Sequence, residues 1–206
     1  VTSHHDRPYL THLCDALAAA GLASLRFSFS GNGNSEGRFV DCCISKAVAD
    51  LGAVIDALEG WSMAYMGHSM GGAVGLLRAT SDARIGALVA LAGMAEVHGF
   101  MQRDFGHLTP GKDCMLDREH ARLSESFLAD AREIQTTLPQ ASQMKVPWLL
   151  VHGTEDELVP FEDSVRCAQA CPHRAQLAPV EGADHCFTDR LDEVAGLVVP
   201  WLMESF

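Results

Sequence analysis

Three short segments of this 206-residue chain carry side chains that together could break an acyl bond. Gly67-His68-Ser69-Met70-Gly71-Gly72 sets a serine among glycines, where a predicted strand turns into a predicted helix. A serine hydroxyl is a poor nucleophile at neutral pH. It needs a base within hydrogen-bond reach and a carboxylate that fixes the base's tautomer. The run His152-Gly153-Thr154-Glu155-Asp156-Glu157 offers carboxylates, and Gly182-Ala183-Asp184-His185 offers an imidazole, each on a loop that follows a predicted strand. Of the ten histidines, His185 has the loop position a base requires, whereas His68 lies inside the turn and His152 ends a strand. Among the carboxylates, Glu155, Asp156, Glu157 and Asp184 all stand open on the residues alone. The flanking glycines at 67, 71 and 72 have a steric reason, since a turn that lifts a hydroxyl out of a sheet leaves little room for side chains. The helix that follows points its first N–H groups at the serine, so that of Met70 is a candidate oxyanion donor.

These loops converge only if the strands that carry them are parallel neighbours. Leu10, Leu13, Cys14 and Leu17 recur at helical spacing before Gly21, and Leu22–Phe29 reads as a strand ended by the turn-rich run from Ser30 to Gly37. Ile44, Val48, Leu51, Val54, Ile55 and Leu58 mark a second helix, Met63–Met66 a strand, residues to Ala79 a helix and Ile85–Leu91 a strand. After a gap come a strand at Val146–Val151, a helix near 161–171, a strand near 174–180 and a helix from about 190. Such alternation predicts an α/β fold, a mostly parallel sheet flanked by helices, with ligands at the carboxyl ends of its strands. The gap, residues 94–143, is broken by Gly99, Gly106, Pro110 and Gly111 and reads as a lid over those ends. Its Phe100, Met101, Phe105, Leu108, Met115, Leu116 and Phe127 either line an apolar substrate pocket or pack the lid onto the core.

Composition sets outer limits. With 48% hydrophobic and 20% charged residues the chain has ordinary globular usage, and its length suits one domain, residues 1–206. A net charge of −12 disfavours nucleic acid and anionic membrane surfaces as partners. No apolar run approaches the ~20 residues that span a bilayer, and the first residues lack a signal-peptide pattern, so a cytoplasmic protein is expected. Seven cysteines with no CxxC pair read as reduced thiols, and no metal or organic cofactor is implied. The expected partner is a small-molecule ester with an apolar part; a homodimer is one assembly left open.

Taken together, Gly67-His68-Ser69-Met70-Gly71-Gly72, the Gly-Thr-Glu-Asp-Glu-Leu-Val-Pro run at 153–160 and Gly182-Ala183-Asp184-His185 resemble the α/β-hydrolase superfamily over nearly the whole chain. Within it, the chain is similar to small intracellular esterases of the cinnamoyl and feruloyl type and to the serine aminopeptidase and monoacylglycerol lipase groups. The segment Arg26–Ser35 is also like the family's loop after its fourth strand, with Ser28 where relatives usually carry Asp. The resemblance implies a triad of Ser69, Asp156 and His185 in that family's chain order, and so selects Asp156 among the carboxylates. It implies Val1 as the second oxyanion donor beside Met70, directly after the family's His-Gly. On this reading the strands that precede that position in relatives are missing, so the chain is a fragment or a defective copy. The activity implied is ester hydrolysis through an acyl-enzyme. The same triad serves peptidases and thioesterases, and a non-catalytic binding protein of this fold is the alternative outside enzymes.

Overall fold

The structure is a computed structural model that describes residues 2–206. Its centre is a parallel sheet in the order β1 (Met63–His68), β2 (Ile85–Leu91), β3 (Trp148–Gly153), β4 (Ala175–Val180). The register aligns the carboxyl ends: His68 lies beside Leu91, and Gly153 beside Val180. Side chains of β2 and β3 alternate between two apolar layers. Val89, Leu91, Leu149 and Val151 pack with α1 (Pro8–Ala19) and α8 (Leu191–Ser205), while Leu88, Ala90 and Leu150 pack with α2 (Ile44–Ala57) and α3 (Met70–Ala79). Covering both faces is what allows β2 to read as an unbroken apolar run.

Local signals set the helix limits. At the end of α1 the N–H of Leu22 donates to Leu17 O at 2.9 Å and that of Gly21 to Ala18 O at 3.0 Å, with Gly21 at φ +82°. This pairing closes off the last carbonyls of the helix and needs a residue that tolerates positive φ. In α2 the buried stripe includes Ile44, Ala47, Leu51 and Ile55, in the same apolar layer as Ala73, Val74 and Leu76 of α3.

The insertion between β2 and β3 holds α4 (Val97–Phe105), a single 3₁₀ turn at Met115–Asp117, α5 (Glu125–Ile134) and the short α6 (Leu138–Ala141). Phe100, Met101, Phe105, Met115 and Phe127 are buried in the same apolar layer as Ile44 and Leu51. Packing is therefore what these side chains do here; Leu116 is the exposed member of the group. The start of the insertion is tied to α7 (Phe161–Ala170), where the buried Asp163 accepts the N–H groups of Ala95 at 2.7 Å and Glu96 at 3.0 Å.

One expected element is absent. Leu22–Phe29 runs without ladder bonds and is not a strand among the described residues. A hollow of about 450 Å³ lies between it and β1, lined by Leu22–Phe29 and by Met63–Gly67. An apolar run has strand propensity, but a strand requires a neighbour within ladder reach, and the hollow separates this run from the nearest one.

Candidate active site

Ser69 is the residue between β1 and α3, and its backbone has φ 57° and ψ −120°. That conformation is sparsely populated by side-chain-bearing residues and costs about 1–3 kcal/mol, so the surroundings must hold it. They do so through three bonds: Ser69 N–H to Leu91 O at 2.9 Å, and Ser69 O accepting from Gly72 N–H at 2.9 Å and Met94 N–H at 3.2 Å. Ser69 caps the N-terminus of α3, where the N–H of Met70 has no carbonyl one turn back within the helix. Met70 thus sits where its N–H can meet a developing negative oxygen.

The glycines around Ser69 differ in what they do. A Cβ on Gly67 would strike the carbonyl of Gly71, and one on Gly72 would lie 2.7 Å from Gly93 Cα, both backbone obstacles. Gly71 is unlike them: its nearest neighbour would be Tyr65 Oη at 3.6 Å, an ordinary contact, so the steric reason expected for it does not apply. Gly67→Ala is accordingly expected to destabilise the fold by about 1–3 kcal/mol. Gly71→Ala is expected to leave the thermal midpoint unchanged or slightly raised, because alanine favours the first turn of α3. Differential scanning fluorimetry of the two variants checks the contrast.

At the ends of β3 and β4, Asp156 and His185 meet: His185 Nδ1 lies 2.7 Å from Asp156 Oδ2, and both side chains are nearly or fully buried. The other carboxyl oxygen, Oδ1, accepts the N–H groups of Leu158 at 2.9 Å and Val159 at 2.8 Å. Burial alone would raise the Asp156 carboxyl, but hydrogen bonds from His152 and His185 outweigh it and hold the group well below the usual carboxylate range. Asp184, the carboxylate adjacent to His185, is committed elsewhere: its Oδ1 accepts from Cys186 and Thr188 N–H. Among the described residues no hydrogen bond joins Ser69 Oγ to His185, although the two share one end of the sheet. Val1, the expected second oxyanion donor, lies outside the described residues.

His68 connects the serine turn to the base. Its Nε2 lies 2.7 Å from the backbone O of His185, so it carries the proton there, and its Nδ1 lies 3.1 Å from Tyr9 Oη and accepts from it. The rings of His68 and His185 are 4.6 Å apart. Desolvation first, then the neighbouring His185, push the His68 imidazole down to about 3. Because the folded value is lower than the unfolded one near 6.5, the unfolded chain binds the extra proton. Stability is thus complete above pH 6.5 and declines as pH falls toward 3. Urea midpoints measured between pH 7 and 4 should fall more steeply for the native chain than for His68→Gln.

Of the three residues that the sequence singles out, Ser69, Asp156 and His185, the fold joins the last two in a hydrogen bond. On the sequence alone His68 and His152 are weighed only as bases and set aside, and Tyr9 and Ser164 are not singled out; all four lie around those three residues. The available signal was a histidine four residues before Asp156 at the end of an otherwise apolar strand, a buried polar group that must find partners.

Comparisons with known proteins bear on the family and the fold. The family described as serine aminopeptidase, S33, matches residues 3–115. Mitochondrial palmitoyl-protein thioesterase ABHD10 of Bos taurus is 29% identical over 161 residues, covering 72% of this chain and 52% of that protein. The chain spans about half the length of the curated palmitoyl-protein thioesterases it matches. Est1E from Butyrivibrio proteoclasticus, solved with ferulic acid bound, superposes with a TM-score of 0.88 at 25% identity, over 99% of this chain and 85% of that one. A monoacylglycerol lipase from Paleococcus ferrophilus superposes with a TM-score of 0.76 at 22% identity, over 94% and 88%. Among the described residues no helix is long and apolar enough to cross a membrane.

Proposed function

The chain belongs to the serine aminopeptidase S33 family of the α/β-hydrolase superfamily, and from that premise we propose that it is a serine hydrolase cleaving a carboxylic ester through an acyl-enzyme. The observation that carries this reading is the strained conformation of Ser69 at the N-terminus of α3, on the same end of the sheet as the His185–Asp156 pair. Ser69 Oγ attacks the acyl carbon while His185 Nε2 takes its proton. Met70 N–H stabilises the resulting oxyanion, with Val1 N–H as the second donor. His185 returns the proton to the alcohol oxygen as the ester C–O bond breaks. Water then attacks the acyl-enzyme with His185 again as base, releasing the acid and restoring Ser69. Asp156 holds Nδ1–H throughout and stabilises the imidazolium.

A fluorophosphonate probe followed by peptide mass spectrometry tests the assignment. Labelling at Ser69 is expected; an unlabelled protein, or label elsewhere, overturns it. The similarity to palmitoyl-protein thioesterases favours one second reading, a thioesterase with the same triad. A p-nitrophenyl ester series of increasing acyl length, run beside a palmitoyl thioester, separates the two, since ester hydrolysis should give the higher kcat/KM if the first reading holds.

A further inference from the structure

Asp156 is held by two histidines. His152, at the end of β3, is completely buried. Its Nε2 lies 3.1 Å from Asp156 Oδ2 and 3.0 Å from Val159 O, and its Nδ1 lies 2.7 Å from Ser164 Oγ on α7. A ring nitrogen that faces two acceptors must carry the proton, so Nε2–H is shared between them and Nδ1 accepts from the Ser164 hydroxyl. Asp156 Oδ2 therefore receives a donor from His152 and another from His185, while Oδ1 receives two backbone N–H groups. Nothing in the proposed acyl-transfer steps uses His152.

We propose that His152 is a positioning residue for that chemistry, fixing the Asp156 carboxylate by donating to the same oxygen that grips His185. The inference rests on the ester-hydrolase reading. Two consequences follow. The carboxylate cannot rotate about Cβ–Cγ, because both oxygens are pinned, so His185 keeps one orientation. A second donor on Oδ2 also draws charge from the oxygen facing His185, so its bond to Nδ1–H is weaker than an aspartate bound to one ring alone would make. The other titratable and charged groups around this pair are His68 at the end of β1, with Tyr9 of α1 behind it, Glu157 after β3, Asp184 and Cys186 after β4, and Arg7 before α1. They are common to every variant compared below.

The test uses the full chain with His152→Leu, His152→Gln and Ser164→Ala. The ¹H resonance of His185 Nδ1–H, which reports its bond to Asp156 Oδ2, should move downfield in His152→Leu, since Oδ2 then serves one donor instead of two. Hydrolysis of a p-nitrophenyl ester should show kcat about tenfold lower with KM nearly constant. His152→Gln, whose amide N–H reaches the position of Nε2, should restore the native resonance and most of kcat. Ser164→Ala, which frees the other nitrogen, should shift the resonance in the same direction by less. Unshifted resonances in His152→Leu and Ser164→Ala overturn the proposal, and Ser164→Ala alone decides if His152→Leu does not fold. Because the resonance needs no turnover, a set of variants that shifts it as described in a chain that hydrolyses nothing counts against the ester reading and not against the role of His152.

Discussion

Ser69→Ala is expected to lower hydrolysis of a p-nitrophenyl ester by about 10⁴-fold or more and to abolish fluorophosphonate labelling. The size of the effect follows from the division of labour at the turn. Without Oγ no acyl-enzyme forms, and what remains is the oxyanion donors and the binding of substrate, which together supply only the residual catalysis left when a triad member is removed. Ser69→Gly separates chemistry from strain. It should be as inactive as the alanine variant, yet glycine occupies φ 57° and ψ −120° without side-chain crowding, so its unfolding free energy should rise by up to about 1 kcal/mol. Chemical denaturation of the two variants beside the native chain is the measurement. A glycine variant less stable than the alanine variant would show that the backbone at this position is not under strain.

Asp156→Asn is expected to lower kcat by about 10⁴-fold with KM changed little. The reason lies in the donors that surround the carboxyl. Oδ2 accepts from His152 and His185, and Oδ1 from the backbone N–H groups of Leu158 and Val159. An amide has one acceptor end and one donor end. If its oxygen faces the two histidines, its NH₂ opposes two backbone donors; if the ends are exchanged, His185 must present the wrong tautomer. Either placement leaves buried donors unmatched, so a stability loss of about 1–3 kcal/mol should accompany the kinetic effect. The pH dependence separates this variant further. The native carboxyl is held below its unfolded value, so its contribution to stability is complete above about pH 4 and is lost as pH falls below that. In Asp156→Asn that portion of the acid dependence should vanish.

The parts of this arrangement that were legible in the sequence are those encoded by neighbours along the chain. Ile85–Leu91 coincides with β2, because a strand covered on both faces is apolar throughout and Asp82 and Gly93 bracket it. Ser69 was legible because its conformation demands glycine close by, although only Gly67 and Gly72 of the three suspected positions are sterically required. Other features depend on neighbours in space. Leu22–Phe29 has the composition of a strand, but composition carries no information about whether a ladder partner stands beside it. Asp156 could not be separated from Glu155 and Glu157 by residue type. They differ in the loop, whose turn directs the Leu158 and Val159 N–H groups to Asp156. The contacts of His152 were not legible for the same reason: its partners Asp156, Val159 and Ser164 are brought to it by the start of α7, not by spacing within β3.

The buried Asp163 bears on how the insertion can move. Its carboxylate accepts the N–H groups of Ala95 and Glu96 and so joins the segment after β2 to α7, the helix that also carries Ser164, the hydroxyl partner of His152. Two charge-assisted hydrogen bonds must break before that segment shifts independently of α7. The insertion and the surroundings of Asp156 are in this sense mechanically coupled through one carboxylate.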